Sequence, residues 1–463
     1  MKPVKNLFFF FILLAFYACK KDAITNSASV FLRVSEDTLH FDTVFTTTGS
    51  VSQLVKIIND HDKGISISSV KIAGGQSSPF KINVDGSPGP EVKNVEILAH
   101  DSMYVFVTVR IDPNSSSLPF LVHDSIEINY NGNIRFIQLD AFGKNAHFFR
   151  NKKITGSETW NNDLPYVILG GLVVDSNAVL TINRGCHVFV HADAPFIING
   201  SLQVNGAAAD SGRVVFSGDR TDDPYRDFPA SYPGLIFTSS SKNNLISFAI
   251  IKNAYQAVVA AGPGVQLTLN ETIIDNAWDA GILGINASIT ARNVLVSNCG
   301  KNIFLVQGGN YQFTHCTAAT YSSSYIQHKD PILVVTDFVN LNGSPAVSNL
   351  NALFRNCIFW GENNGIVPDE AVVLRQGTGN SFQVVFENVL WRVEHAPANC
   401  TIKNPINQDP LFELINTTDR IYRFQLSPQS PAIDKGVDAS VTLDLDGHPR
   451  PVGLPDLGAY EKQ

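Results

Sequence analysis

The middle of the chain repeats at a short interval, and this repeat restricts the possible folds more than any other feature. Residues 271–276 align with residues 293–298 at an offset of 22, and residues 315–320 follow at the same offset. Upstream, residues 250–253 precede their match by 23 residues. A unit of this length with such short strands cannot bury its own apolar side, so successive units must stack on one another. The repeat therefore predicts a solenoid.

Each repeat is best explained as one coil of a right-handed parallel β-helix. Three short strands joined by turns make one coil, and pairing with the next coil gives a rise of about 4.8 Å. Parallel strands buried on both faces are near-continuously apolar, as residues 250–251 and 273–274 are. The solenoid is predicted over residues 147–405, which is enough chain for roughly nine or ten coils.

Asparagine recurs at fixed positions of the repeat. The aligned positions form two columns, one with Asn253, Asn276 and Asn298, the other with Asn293, His315, Asn356 and Asn388. Stacked asparagine side chains can bond to each other and to turn backbones along the solenoid axis. We therefore expect each column to lie at one turn of the coil, with His315 replacing an asparagine.

The two ends of this region carry more specific motifs. They lie at residues 180–185, 200–206 and 214–220, and at the Asp-rich stretches 409–412, 426–436, 444–451 and 456–461. Together they resemble the pectin-lyase-like, right-handed β-helix surface lipoproteins of the Bacteroidota. The resemblance implies that residues 406–463 cap the solenoid. Asp444, Asp446 and Asp456 could hold calcium or could cap turns, and no other cofactor is predicted.

Residues 27–145 have a different pattern, which predicts a β-sandwich. About eight short runs of alternating apolar residues are separated by turn residues, as in immunoglobulin-like folds. Residues 39–44 and 55–59 resemble the Hydin-like immunoglobulin-type domains of bacterial surface proteins. The expected fold class is therefore all-β, with this sandwich preceding the β-helix.

The first residues have the form of an export signal. Lys2 and Lys5 precede an apolar run at 7–18 that is too short to span a bilayer. The run ends at Cys19, a junction that resembles a bacterial lipoprotein signal. The resemblance implies removal of residues 1–18, acylation of Cys19, a tether at 19–26, and a lipid-anchored location at the outer membrane or cell surface. Plain secretion with an incidental cysteine is the alternative.

Charge and cysteine spacing exclude several functions. The net charge is −8 without a basic block, which argues against nucleic acid as a partner. The five other cysteines have no spacing typical of a metal site, so no metal site is predicted, and we expect mostly buried free thiols. These cysteines are Cys186, Cys299, Cys316, Cys357 and Cys400.

Insertions into the repeat are where a ligand would bind, because loops on a rigid solenoid usually carry function. Two of the three insertions bring aromatic side chains next to charged ones, a combination that suits the faces and hydroxyls of sugars, and the third adds charged side chains. The candidate glycan-binding residues are Tyr225, Tyr232, Tyr321, Tyr325 and Arg375. The alternative is that these loops only cover the solenoid.

Charged residues at matching repeat positions are candidates for catalysis. Lys252 and Asp275 occupy the same position one repeat apart, and Arg355 and Glu387 do likewise. The resemblance to β-helix polysaccharide lyases implies a Lys, Arg or His base with carboxylates. The other candidates are His328, Lys329 and Asp330 in the insertion. Vertical ion pairs are also ordinary features of a surface and stabilise little, so the structural interpretation remains open.

These features favour a lipid-anchored envelope protein that uses its β-helix to bind an extended polysaccharide. The first alternative is an enzyme, a polysaccharide lyase or a glycoside hydrolase, with lyase-like chemistry the better match. The second is a structural or adhesion protein without a small ligand.

Overall fold

The computed structural model describes residues 23–45, 49–50, 52–112, 120–341 and 343–463. The predicted signal segment and Cys19 lie outside these residues. The chain divides into two compact units, one ending at Asn145 and the other spanning Ala146–Gln463. None of the helices in the described part of the chain has the length and apolar character that crossing a bilayer requires.

The first unit is a β-sandwich, which confirms the predicted immunoglobulin-like fold. One sheet has the order Ile24–Thr25, Gly64–Ile72, Phe120–Tyr130, Asn133–Lys144 and Thr38–Phe45, with Glu91–Ile97 also paired to Gly64–Ile72. The other has the order Arg33–Val34, Gln53–Ile58, Ser102–Val109, Phe80–Val84 and Ser87–Pro88. Alternate residues of both sheets, such as Val55 and Ile126, point into one shared core.

The second unit is the predicted right-handed parallel β-helix. Its strands form one continuous sheet and are, in chain order, His147–Ile154, Ser157–Trp160, Tyr166–Val174, Val179–Asn183, His187–Val190, Phe196–Ile198, Ser201–Asn205, Val214–Gly218, Leu235–Phe237, Asn244–Ser247, Ala249–Lys252, Gln256–Ala261, Gln266–Asn270, Ile273–Asp275, Ala280–Arg292, Leu295–Ser297, Lys301–Thr314, Thr317–Thr320, Leu333–Thr336, Leu350–Gly361, Ala371–Leu374, Phe382–Trp391 and Thr401–Lys403. Two antiparallel hairpins lie outside that sheet, Phe338–Leu341 with Ser344–Val347 and Phe412–Asn416 with Ile421–Leu426. Short 3₁₀ turns lie at Gly75–Ser77, Asp210–Gly212 and Tyr225–Asp227.

The strands stack into three parallel faces, and we name these faces A, B and C. In the central coils, face A contains residues 256–261, 280–285, 301–306, 333–336 and 371–374. Face B contains residues 266–270, 287–292, 309–314, 350–355 and 382–387. Face C contains residues 249–252, 273–275, 295–297, 317–320, 357–361 and 389–391. Residues one repeat apart are therefore vertical neighbours, as the sequence predicts.

The asparagine columns mark turns in which the backbone has a positive φ. Asn253, Asn276 and Asn298 have φ values of 65°, 56° and 50° at the turn after face C. Asparagine tolerates this left-handed conformation better than other residues with a side chain. The Asn276 amide also donates to the Asn253 side-chain oxygen at 2.8 Å, so the column bonds along the axis.

The second column lies at the turn between faces B and C and also has positive φ throughout. His315 replaces asparagine there with φ 52°. Its Nδ1 bonds to the Asp456 carbonyl at 3.1 Å, and the Asn356 amide donates to its Nε2 at 3.0 Å. Burial, with a smaller effect from Arg450, lowers the pKa of His315 from 6.5 to about 2, so the ring is neutral.

The coil interior is rich in aromatic side chains toward its C-terminal end. The rings of Phe313, Phe354 and Phe386 stack along the axis with centroids 5.5 and 5.0 Å apart. Among the described cysteines all five are free, and four of them are buried in this unit. Stacked large side chains at one repeat position bury apolar area on every coil, which stabilises the solenoid.

The C-terminal segment, residues 406–463, lies along the side of the coil. Outward-facing Leu295 and Ile358 of face C are 4% and 1% exposed because the segment covers them with apolar residues that include Leu445 and Leu457. The resemblance implies a cap on the solenoid. The contacts of the segment are with face C, at the side of the solenoid, and with the turn next to that face.

The three aspartates considered for calcium bond to the protein itself. Asp444 accepts backbone N–H groups of Asp446, His448 and Glu461. Asp456 accepts two more backbone N–H groups, and the Asp446 carboxylate lies 3.6 Å from the Arg213 guanidinium. These contacts fit the turn-capping alternative.

Candidate functional site

A groove runs over the outer surface of face B. Two adjoining cavities of about 420 and 220 Å³ form it, and both are lined by Asn310 and Asn351. The floor contains two rows of outward side chains on adjacent strands. The first row is Ser288, Asn310, Asn351 and Gln383, and the second is Thr290, Gln312, Leu353 and Val385.

The amide groups of this floor are largely free to bind a ligand. The Asn351 amide donates to the Asn310 side-chain oxygen at 2.9 Å, which leaves one donor group and one acceptor of this pair unused. The side chains of Gln312 and Gln383 are exposed and make no hydrogen bond to any residue in the described ranges. The floor thus presents unpaired donors and acceptors in register with the coil spacing.

A hairpin and a loop form the wall at one side of the groove. The hairpin at 338–347 contacts the strand Lys301–Thr314, and the following loop at 375–381 lies on the next coil. Buried Asp337 fixes this loop by accepting the N–H groups of Gln376 and Gly377 at 2.8 and 2.9 Å. Of the described residues in these two segments, Ser381 lines a cavity of the groove, so the wall borders the groove where the strands of face B begin.

The candidate Arg375 belongs to this wall. Its guanidinium lies 5.1 Å from the ring centre of Phe382, and its Nε donates to the Gly377 carbonyl. The side chain is exposed beside Phe382, which packs against the solenoid core, and it does not line either cavity of the groove.

Ion pairs lie on face B beyond the groove floor, two residues further along the strands than Leu353 and Val385. Arg355 Nε donates to Glu387 at 2.6 Å, and Lys403 lies 3.4 Å from the same carboxylate. The Arg355 guanidinium holds the pKa of Glu387 below its usual value. On neighbouring coils Arg292 pairs with Glu271 at 3.2 Å. The predicted neighbours Arg355 and Glu387 are thus adjacent, and they satisfy each other's charge.

The other predicted vertical pair lies on face C. Lys252 and Asp275 are direct neighbours in the register of adjacent strands. Asp275 accepts hydrogen bonds from the Ser297 hydroxyl at 2.6 Å and the Asn298 amide at 3.4 Å. Burial raises the pKa of Asp275 in spite of these bonds. The pair lies away from the groove.

Two candidate tyrosines belong to a cluster of loops over the first asparagine column. Tyr225 and Tyr325 both contact Phe228, at ring-centre distances of 5.2 and 5.1 Å. Arg220 stacks on Tyr225 at 3.8 Å, and Arg420 of the C-terminal hairpin stacks on Tyr325 at 4.6 Å. The cluster joins three separate loops, and Tyr225 remains 43% exposed.

Three candidate side chains are turned inward. Tyr232 and His328 are each 1% exposed, so neither can touch a ligand at the surface. Tyr232 is buried because its strand segment pairs with Ala254, and His328 because its ring bonds to buried Glu370 at 2.9 Å. Tyr321 is partly buried against Phe424.

The remaining two candidates are accessible. Lys329 is exposed, and Asp330 is partly exposed within electrostatic range of Lys301. Neither lies in the groove. In the described part of the chain, no group of three or more His, Cys, Asp or Glu side chains is arranged to hold a metal ion.

Comparisons with known proteins give only remote matches. No family model and no curated protein sequence matches this chain. A glycoside hydrolase of family 123 from Clostridium perfringens has 9% identity and a TM-score of 0.19, covering 29% of this chain and 31% of its own. The catalytic unit of a GH87 α-1,3-glucanase from Streptomyces thermodiastaticus has 9% identity and a TM-score of 0.18, covering 77% and 89%. The periplasmic chaperone SfaE has 11% identity and a TM-score of 0.18, covering 25% and 58%. Because these values are so low, the fold assignment stands on the strand pairing described above.

Proposed function

We propose that the protein binds an extended, neutral polysaccharide in the groove on face B. The observation that supports this most directly is the amide-rich floor of the groove, where Gln312 and Gln383 have no intramolecular partner and the Asn310–Asn351 pair keeps unused donors and acceptors. Amides offer both donors and acceptors, which matches the hydroxyl groups along a glycan. A parallel coil repeats its groups at a regular spacing, so a ligand with its own repeat can contact several coils at once.

The charge of the groove favours neutral glycans over polyuronates. Its floor contains only amide, hydroxyl and apolar side chains. The cations at its far border, Arg355 and Lys403, are already paired with Glu387. None of the described side chains that line the two cavities is charged. A chain of carboxylates would therefore lose hydration with little compensation.

Removing two floor amides is expected to weaken glycan binding without unfolding the protein. In Gln312→Ala/Gln383→Ala, two hydrogen-bonding side chains are lost, and we expect a roughly tenfold loss of affinity. Stability should stay within about 0.5 kcal/mol because both side chains are exposed and unpaired. Affinity electrophoresis over neutral and uronic polysaccharides, followed by calorimetry with the retained glycan, measures the change.

The matched control for this variant is Gln138→Ala, an exposed strand glutamine of the first unit, which should bind like the wild type. Retention on polyuronates alone, or equal affinity of the double variant and the wild type, would contradict the proposal. New reducing ends or unsaturated ends in the incubated glycan would instead favour the hydrolase or lyase alternative.

We also propose that Cys19 anchors the protein to the outer membrane or cell surface through lipid. The apolar run that ends at this cysteine supports the proposal. Expression with a labelled fatty acid is expected to label the wild type and to leave Cys19→Ser unlabelled and released from the membrane fraction. Equal labelling of both, or a soluble wild type, would contradict it.

A further inference from the structure

Two exposed aromatic side chains lie side by side on consecutive coils, outside the groove. Tyr255 and Trp278 are 47% and 51% exposed. Their backbones are direct neighbours, since Trp278 N–H donates to the Ala254 carbonyl at 2.9 Å and Asp279 N–H donates to the Tyr255 carbonyl at 2.8 Å. We call this pair the aromatic ledge.

The ledge lies at the turn between faces C and A, just after the first asparagine column. Loop residues 226–227 accept the amides of Asn253 and Asn276, and the loop continues to Tyr232 beside Ala254. These contacts cover the asparagines but leave the two rings in solvent. On the next coil the same position is Gly300, where a Cβ would overlap the Trp278 carbonyl. The ledge therefore ends after two rings.

Hydrogen-bonding groups are arranged next to the rings. Asp279 accepts from Gln256 Nε2 at 2.6 Å and from Lys301 Nζ at 2.8 Å. Asp330 and Tyr255 lie within electrostatic range of Lys301, and its pKa is raised, chiefly by the hydrogen bond to Asp279. Gln256, Asp330 and Tyr255 retain unused donors or acceptors, and the Lys301 ammonium uses one of its three donors on Asp279.

Trp278 differs from the other tryptophans of the chain. Trp160 and Trp391 are 1% and 2% exposed, and Trp360 packs against an apolar cluster beneath the C-terminal segment. Leaving such a large ring in water forgoes the stabilisation that burial would give. A ring that is exposed on a rigid coil, with an equally exposed ring beside it, is therefore better explained by contact with a ligand.

We infer that the aromatic ledge is a second carbohydrate-contact site, which stacks the C–H face of a neutral sugar ring on Trp278 and Tyr255. The hydroxyls of that sugar would be held by Gln256, Asp330 and the outer atoms of the Asp279–Lys301 pair. The face of an aromatic ring can pack against the C–H side of a pyranose. The ion pair beside the ring can form hydrogen bonds to the hydroxyl groups at the edge of the same sugar. This inference rests on the proposed glycan binding and assigns it a second point of contact.

Tryptophan fluorescence can test the ledge directly because Trp278 is the most exposed tryptophan. We would titrate the full chain with neutral glucan oligosaccharides of two to eight sugar units. The wild type is expected to show a blue shift of emission and protection from acrylamide quenching. Trp278→Phe should lose that signal. The variant Tyr255→Ala/Trp278→Ala should bind about tenfold more weakly, since both stacking contacts are gone.

The same titration on Gln312→Ala/Gln383→Ala separates the ledge from the groove. A shift of Trp278 emission in this variant supports an independent ledge site. Binding that depends on the groove but never alters Trp278 emission overturns the ledge and leaves the proposed function standing. Absence of any glycan binding overturns both. Tyr104→Ala, an exposed aromatic of the first unit, is the matched control and should change neither readout.

Discussion

Arg450→Ala is expected to cost about 3–5 kcal/mol of stability and to release the C-terminal segment, because it leaves a buried carboxylate without its cation. Arg450 and Glu461 are paired at 2.9 Å with both side chains fully buried. The same guanidinium donates to Asn293 at 3.0 Å and to the Gly458 carbonyl at 3.1 Å. Denaturant unfolding would measure the loss, and limited proteolysis would show early cleavage after residue 406.

Two further variants make this prediction specific. Arg450→Ala/Glu461→Gln should recover part of the loss, since the variant buries no unpaired charge and its amide oxygen still accepts one of the two N–H groups, of Val452 or of Asp456, that bond to Glu461. Arg423→Ala removes an exposed arginine of the same segment, paired with Glu413 at 3.3 Å, and should cost no more than about 1 kcal/mol. A loss below about 1 kcal/mol for Arg450→Ala would show that the buried pair is not what holds the segment.

Glu370→Ala is the second change with a large expected effect, again about 3–5 kcal/mol. The Glu370 carboxylate is buried and bonds to His328 at 2.9 Å, to the Ile332 N–H at 3.3 Å and to Arg392. The backbone of Gly361 packs so closely on this cluster that a Cβ there would overlap both acid and ring. Truncation of Glu370 would leave Arg392 partly buried without its carboxylate partner. We also expect residues 321–332 to lose contacts, because His328 and the Ile332 N–H bond to the same carboxylate.

Matched measurements distinguish this buried cluster from an ordinary surface pair. Glu370→Gln keeps an acceptor and should lose clearly less than Glu370→Ala in denaturant unfolding. Glu387→Ala breaks the more exposed pair with Arg355 and should cost about 1 kcal/mol or less. Equal losses for Glu370→Ala and Glu387→Ala would contradict the structural role assigned to His328 and Glu370.

The repeat spacing was enough to predict which residues become vertical neighbours. Arg355 meets Glu387, and Asn276 meets Asn253, because a parallel coil converts a fixed offset into a fixed contact. The same spacing could have found the aromatic ledge, since Tyr255 and Trp278 each follow a column asparagine by two residues.

Other features could not be read from a local pattern. Tyr232 and His328 lie in inserted loops. The length of such a loop shows that the chain leaves the coil, but it does not show how the loop folds back and buries these two side chains. The groove amides were missed because alternating polar residues on a strand are expected on any solvated face. The hairpin wall beside that face is positioned by contacts of buried Asp337 that lie about 40 residues apart in the chain, and no local pattern shows them.

The C-terminal segment changes how the solenoid should unfold. In a plain solenoid each coil touches only its neighbours, so coils can unzip one at a time from either end. Here the C-terminal segment accepts hydrogen bonds from distant coils. The Leu445 carbonyl accepts from Arg213 of an early coil, and the Lys435 carbonyl accepts from Asn388 of a late coil. Fraying of a coil between these two positions must therefore break contacts with a segment that runs along most of the array. The coils between these two contacts are therefore expected to unfold together, as one cooperative unit, because the C-terminal segment connects them.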